Sequence, residues 1–141
     1  MIKRIKIEPA KKVKTFDAAG KENGFLVELL KKNHQTVAYL TSIKAHGFKG
    51  YHLHRVRAAR YICLKGKIKI ITYQRGRRRE YVLDSKKPQR LFIPNNVATG
   101  LKNIGSKEAW LINYPFPPYN PSLKNEQVEY TEAELVRGVV K

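Results

Sequence analysis

Cysteine is almost missing from this chain: Cys63 is the only one in 141 residues. A lone thiol excludes an intrachain disulfide and a cysteine-based metal cluster within one chain, and it agrees with a reducing compartment. Long apolar runs are missing as well. No stretch approaches the roughly 18 apolar residues that span a bilayer, and the start, Met1-Ile-Lys-Arg-Ile-Lys-Ile-Glu8, lacks the continuous apolar segment of a signal peptide. The expectation is a cytoplasmic protein with no membrane partner. Acidic residues are scarce, 11 Asp and Glu against 29 Lys and Arg, which leaves a formal net charge of +18. Such a surface attracts anions of every kind, nucleic acid included. The cations are nevertheless spread along the chain, and Arg77-Arg78-Arg79 is the one dense cluster. No helix-turn-helix, RNP-like motif or zinc finger accompanies them, so charge selects anionic partners without selecting their class.

What is present is apolar and aromatic: 42% hydrophobic residues, with eight tyrosines and five phenylalanines. That composition is too apolar for a disordered segment, and the length suits one domain, residues 1–141, with a barrel core over about 36–115. Helical periodicity is nearly absent, while short β-branched and aromatic runs recur. They fall at Gly24–Leu30, Thr36–Ile43, Arg60–Leu64, Lys67–Tyr73, Tyr81–Leu83, Arg90–Ile93, Val97–Ile104 and Ala109–Tyr114. Lys65-Gly66, Arg75-Gly76, Pro94-Asn95-Asn96 and Ile104-Gly105-Ser106 punctuate these runs with turn chemistry, which predicts hairpins at 64–67 and 73–79. In Lys67-Ile68-Lys69-Ile70 the alternation puts the isoleucines in a core and the lysines in water. Many short strands of this kind predict an all-β sandwich or jelly-roll barrel. Only the tail is helical in pattern, where Thr131 followed by Glu134 has the form of a capping box. The prolines of Tyr114-Pro-Phe-Pro-Pro-Tyr-Asn-Pro121 keep that segment out of a central strand; it should leave the barrel extended and could cross its mouth.

Gly47-Phe-Lys-Gly-Tyr-His52-Leu-His54 carries the chemistry. In a strand, His52 and His54 share one face about 7 Å apart, a spacing that suits a common ligand, a metal ion or a proton-transfer task. Lys49, Arg55, Arg57 and Arg60 surround the pair in sequence and could hold an anionic group. By strand alternation Cys63 joins Ala59 and Tyr61 on one face as core packing, with Arg60 on the other.

Gly50-Tyr-His52-Leu-His54, Tyr61-Ile-Cys-Leu-Lys-Gly66 and Ile93-Pro94 through Gly100, with Asn103-Ile-Gly105, resemble the two conserved blocks of the cupin superfamily. Within it the chain is similar to the sugar-nucleotide group: dTDP-4-dehydrorhamnose 3,5-epimerases, dTDP-4-keto-6-deoxyhexose 3,4-ketoisomerases and cupin domains of capsular polysaccharide enzymes. Lys49-Gly50-Tyr51-His52 resembles their Arg-Gly-x-His, Ala98-Thr99-Gly100 their Ala-His-Gly, and Tyr119-Asn120-Pro121 the segment after their last core strand. The resemblance implies a double-stranded β-helix, the cupin-type jelly-roll barrel, with a short C-terminal helix, and a homodimer. It also implies an epimerase or ketoisomerase acting on a nucleotide-linked 4-keto-6-deoxy sugar, an anionic small-molecule substrate, with His52 as general base. Ala59 and Thr99 stand where metal-binding cupins place a glutamate and a third histidine, so no cofactor and no tightly bound metal are expected.

A 4-keto group acidifies the neighbouring C3–H, and an imidazole is suited to removing such a proton near neutral pH. The enolate then needs a donor or cation, for which His54 and Lys49 are at hand, and the returned proton needs an acid, for which Tyr114, Tyr119 and Tyr61 are candidates. Tyr39 and Thr99 would line the same mouth beside Arg55 and Arg60. Two further readings stay open: a non-catalytic sugar- or ligand-binding cupin, suggested by Ala59 and Thr99, and a nucleic-acid-associated basic β-barrel, suggested by the charge.

Overall fold

The computed structural model describes residues 3–10, 12–16, 19–27, 29, 38–117 and 120–141. Among these residues twelve strands and one helix follow in order: β1 (Lys6–Pro9), β2 (Lys12–Phe16), β3 (Glu22–Val27), β4 (Tyr39–Ile43), β5 (Phe48–His54), β6 (Ala59–Lys65), β7 (Lys67–Gln74), β8 (Arg77–Asp84), β9 (Gln89–Ile93), β10 (Ala98–Asn103), β11 (Ala109–Asn113), β12 (Gln127–Glu129) and α1 (Glu132–Val136). Ten strands form two five-stranded sheets of order β1-β9-β6-β11-β4 and β12-β5-β10-β7-β8, every pair antiparallel, while β2 and β3 pair separately. This is the all-β jelly roll with a short C-terminal helix that the sequence pattern predicts. Among the described residues no helix is long and apolar enough to cross a membrane.

The isoleucine periodicity of β7 explains the core. Ile68 and Ile70 are fully buried and pack with Ile43, Ala59, Cys63, Leu83, Leu91, Ile93, Val97 and Leu111, so the two sheets bury their facing sides against one another. The Cys63 thiol belongs to this cluster and donates to the Lys65 and Gly66 carbonyls, and burial pushes its pKa up to about 11. Asn103, also fully buried, donates Nδ2 to the Ile43, Lys44 and Lys107 carbonyls while its Oδ1 accepts from Gly105 N–H. A polar side chain satisfied in this way ties the end of β10 to the end of β4.

The two expected hairpins part company. Residues 73–79 do form one: Gln74 faces Arg77, and Arg75 and Gly76 both adopt positive φ, 52° and 73°, as a two-residue type I′ turn requires. The turn at 64–67 is not a hairpin, because β6 and β7 belong to different sheets. A tight turn read from sequence specifies a change of direction, and here it carries the chain round a corner of the barrel. The outer face of the β7 sheet is covered by the tail. Tyr51, Ile71, Tyr73, Ala98 and Tyr130 cluster there, with Leu135 and Val139 against them, and the capping box of Thr131 and Glu134 is formed at α1.

Candidate active site

The strand carrying both histidines is interrupted where it needs to be. On β5, His52 faces Thr99 of β10 and Lys49 faces Leu101, so Gly50 and Tyr51 together oppose the single residue Gly100. This β-bulge cancels one step of the two-residue alternation. Lys49 and His52, three apart and expected on opposite faces of a regular strand, both line a cavity of about 230 Å³, together with His54, Tyr61 and Thr99. Gly50 permits the bulge: its φ is +125°, and a Cβ there would lie 2.6 Å from the Thr99 carbonyl oxygen. Gly50→Ala should therefore cost about 2–4 kcal/mol of stability, strain and overpacking combined. A thermal melt would check this, and an unchanged midpoint would remove the bulge from the account of how Lys49 and His52 converge.

Each histidine is held by the segment that returns from the other sheet. Asn120 to Glu126 leads into β12, which pairs with β5 so that Gln127 faces His54 and Glu129 faces His52. Gln127, diagonal to His52, places its side-chain amide nitrogen 2.7 Å from His52 Nδ1. With the amide nitrogen as donor, the proton of a neutral His52 sits on Nε2; with the amide turned over, Oε1 accepts from Nδ1–H and Nε2 carries the lone pair of a base.

His54 Nδ1 lies 3.2 Å from Glu126 Oε1 and 3.0 Å from Arg57 Nη2. Glu126 also accepts from the Val56 and Arg57 N–H groups and from Arg57 Nε at 2.8 Å. Burial opposes the ionisation of Glu126, but these donors outweigh it and hold its pKa down to about 2. Burial and the Arg57 charge lower the pKa of His54 against the opposing pull of Glu126, so His54 faces the cavity as a neutral ring at cellular pH. Tyr61 lines the same cavity, and burial pushes its hydroxyl up to about 12, which keeps it protonated and able to donate.

Other residues drawn toward the site by their place in the sequence lie elsewhere. Arg55 turns outward, its guanidinium held by the Asn125 and Lys141 carbonyls. Arg60 is on the outer face of β6, 4.8 Å over the Phe92 ring and near Glu8, as strand alternation dictates. Tyr114 is buried beyond the end of β11, its N–H bonded to the Arg60 carbonyl, and it does not line the cavity. Thr41 lines the cavity, whereas Tyr39, two residues earlier on the same face of β4, does not line it and has 41% of its surface exposed. Tyr119 lies outside the described residues. Sequence reasoning missed Glu126 and Gln127, which are remote in the chain and carry no motif, and it left Arg57 among the surrounding charges. Among the described residues no three His, Cys, Asp or Glu side chains are placed to hold a metal ion.

Residues 19–124 match the family model described as the polysaccharide biosynthesis C-terminal domain. No curated protein matches the chain significantly. Among solved structures the chain is similar to a dTDP sugar isomerase from Desulfovibrio desulfuricans G20, with a TM-score of 0.77, 16% identity, and 94% of this chain and 87% of that one covered. It is similar to QdtA, a sugar 3,4-ketoisomerase from Thermoanaerobacterium thermosaccharolyticum in complex with TDP, with a TM-score of 0.73, 16% identity and 98% and 96% coverage. The rmlC epimerase of Mycobacterium tuberculosis follows with a TM-score of 0.73, 14% identity and 94% and 72% coverage. At these identities the likeness is one of fold, the RmlC-like cupin barrel. The family match spans most of the 141 residues, and the chain belongs to the polysaccharide biosynthesis C-terminal domain family.

Proposed function

We propose that this protein is an epimerase or ketoisomerase of a nucleotide-linked 4-keto-6-deoxy sugar, working by proton transfer without a metal, with His52 as the base. The observation that carries this reading is the convergence of His52, His54, Lys49 and Tyr61 on one cavity at the barrel mouth. The fold adds support, since similar structures include a dTDP sugar isomerase and a sugar 3,4-ketoisomerase.

The chemistry follows from the substrate and the lining. The keto group makes C3–H acidic, and His52 takes that proton on Nε2 when the Gln127 amide is turned over so that its oxygen accepts from Nδ1–H. Charge passes to the 4-oxygen as an enolate, which Lys49 or the neutral His54 stabilises by donation. Return of a proton to the opposite face of C3 gives epimerisation. For ketoisomerisation the enolate 4-oxygen takes a proton to give the 3,4-enediol, and the 3-hydroxyl then loses its proton as C4 gains one, leaving a ketone at C3 and a hydroxyl at C4; Tyr61 is the acid in reach of the same cavity. Two histidines beside Ala59 and Thr99 make a poor metal shell, so activity should survive exhaustive chelation.

A homodimer belongs to this reading: Leu40, Leu64 and Trp110 leave apolar surface exposed on the sheet containing β4, β6 and β11. The test is proton exchange in D₂O, followed by NMR on dTDP-4-keto-6-deoxyglucose. Loss of the C3 hydrogen signal supports the reading. Binding of the nucleotide sugar with no exchange would leave a binding protein in place of an enzyme.

A further inference from the structure

The triple arginine that stands out in the sequence is divided by strand alternation. Arg78 lies on one face with Glu80 at 2.7 Å, while Arg77 and Arg79 lie on the other face with Tyr81, both still exposed to solvent. There they line a cavity of about 460 Å³ with Lys3, Arg4 and Arg75. None of these five cations makes an ion pair with a described residue, and no described Asp or Glu lines the cavity. The five cations are exposed and share one sign, so an anion seated among them would relieve their mutual repulsion. A second observation points the same way. Thr72 lines this cavity with 1% of its surface exposed, and its hydroxyl has no hydrogen-bond partner, the condition of a buried polar group made for something else.

The cationic cavity adjoins the histidine cavity. Thr72 pairs with Thr99 on one side and Arg79 on the other, and Thr99 lines the histidine cavity. Neighbouring strands lie about 4.8 Å apart, so Arg79 is about 10 Å across the sheet from Thr99. Lys3 to Ile5 precede β1, whose Lys6 pairs with Phe92, next to the Ile93 and Pro94 that also line the histidine cavity. One ligand can therefore reach both.

We propose that the cavity lined by Arg77, Arg79, Arg75, Lys3 and Thr72 binds the pyrophosphate of a nucleoside diphosphate whose other end enters the histidine cavity. The pyrophosphate site rests on the unpaired cations and Thr72 alone; the identity of the other end rests on the proposed function. Arginine forks suit bidentate phosphate oxygens, and a hydroxyl supplies the remaining donor.

The test is calorimetry at physiological salt with inorganic pyrophosphate. Arg77→Ala/Arg79→Ala should weaken binding at least tenfold, while Lys86→Ala/Lys87→Ala, which removes the same charge from an exposed turn, should leave it within twofold. Thr72→Val keeps the side-chain shape and should weaken it severalfold with the melting temperature maintained. Equal losses in the two double variants, or no binding by the wild type, would overturn the site. Pyrophosphate should displace dTDP competitively; simultaneous binding of both, or stronger competition by a single-stranded oligonucleotide, would overturn the nucleoside diphosphate assignment. If pyrophosphate binds as expected and C3 exchange is absent, the proposed activity fails and the anion site stands; if exchange occurs and the arginine variant binds normally, the reverse holds.

Discussion

Replacing His52 by alanine should lower the rate of C3 hydrogen exchange by about two to four orders of magnitude, the usual contribution of a positioned general base. Nucleotide affinity should change little, because the proposed anion contacts lie on β7, β8 and the first residues of the chain. The loss is catalytic in kind: the imidazole takes the proton, and no other described side chain is held by Gln127 in the same way. Gln127→Ala should give a smaller loss, since the ring remains and only its orientation and tautomer are released. His54→Ala supplies the contrast. His54 has a carboxylate beside its Nδ1, and His52 has an amide. Exchange that survives in His52→Ala and disappears in His54→Ala would exchange their roles and overturn the assignment of the base.

Replacing Glu126 by glutamine should destabilise the fold by about 3–5 kcal/mol, the cost of breaking a buried ion pair by removing one partner. Glu126 is 7% exposed and the Arg57 side chain 12%, so a guanidinium that loses this carboxylate cannot make up the loss with full hydration. A glutamine would also turn an amide NH₂ toward the Arg57 or Val56 donors that the carboxylate accepts. Catalysis should fall as well, because this contact anchors the segment that brings Gln127 to His52.

The same group predicts an acid limb. The Glu126 pKa is depressed in the folded protein, so its contribution, about 3 kcal/mol, is present above the ordinary value of 4.5 and lost as the pH falls toward about 2. The His54 pKa is also lowered on folding. Below its ordinary value of 6.5 the unfolded chain takes up the proton more readily, so its contribution too is lost as the pH falls. Stability measured by urea unfolding should decline from about pH 6.5, more steeply below 4.5, and Glu126→Gln should flatten the lower part. A wild-type protein equally stable at pH 7 and pH 3 would contradict this.

Local chemistry is what the sequence by itself determined. The isoleucines of β7, the Arg75-Gly76 turn and the Thr131 capping box are interactions between near neighbours along the chain, and period and residue type suffice to read them. His52 and His54 on one face follow from the same alternation. Read strictly, however, that alternation places Lys49 opposite His52, and the bulge at Gly50 and Tyr51 brings them together because it forms only where β10 lies alongside. The turn at Gly66 shows the same limit, since one glycine serves a hairpin or a corner and the choice depends on which sheet receives the next strand. Tertiary structure alone decided that Glu126 and Gln127, more than 70 residues away, hold the two histidines. It also brought Lys3 and Arg4 from the start of the chain against Arg77 and Arg79. In a jelly roll most strand pairs join distant segments, so a site at the barrel mouth is assembled from contacts that no local pattern encodes.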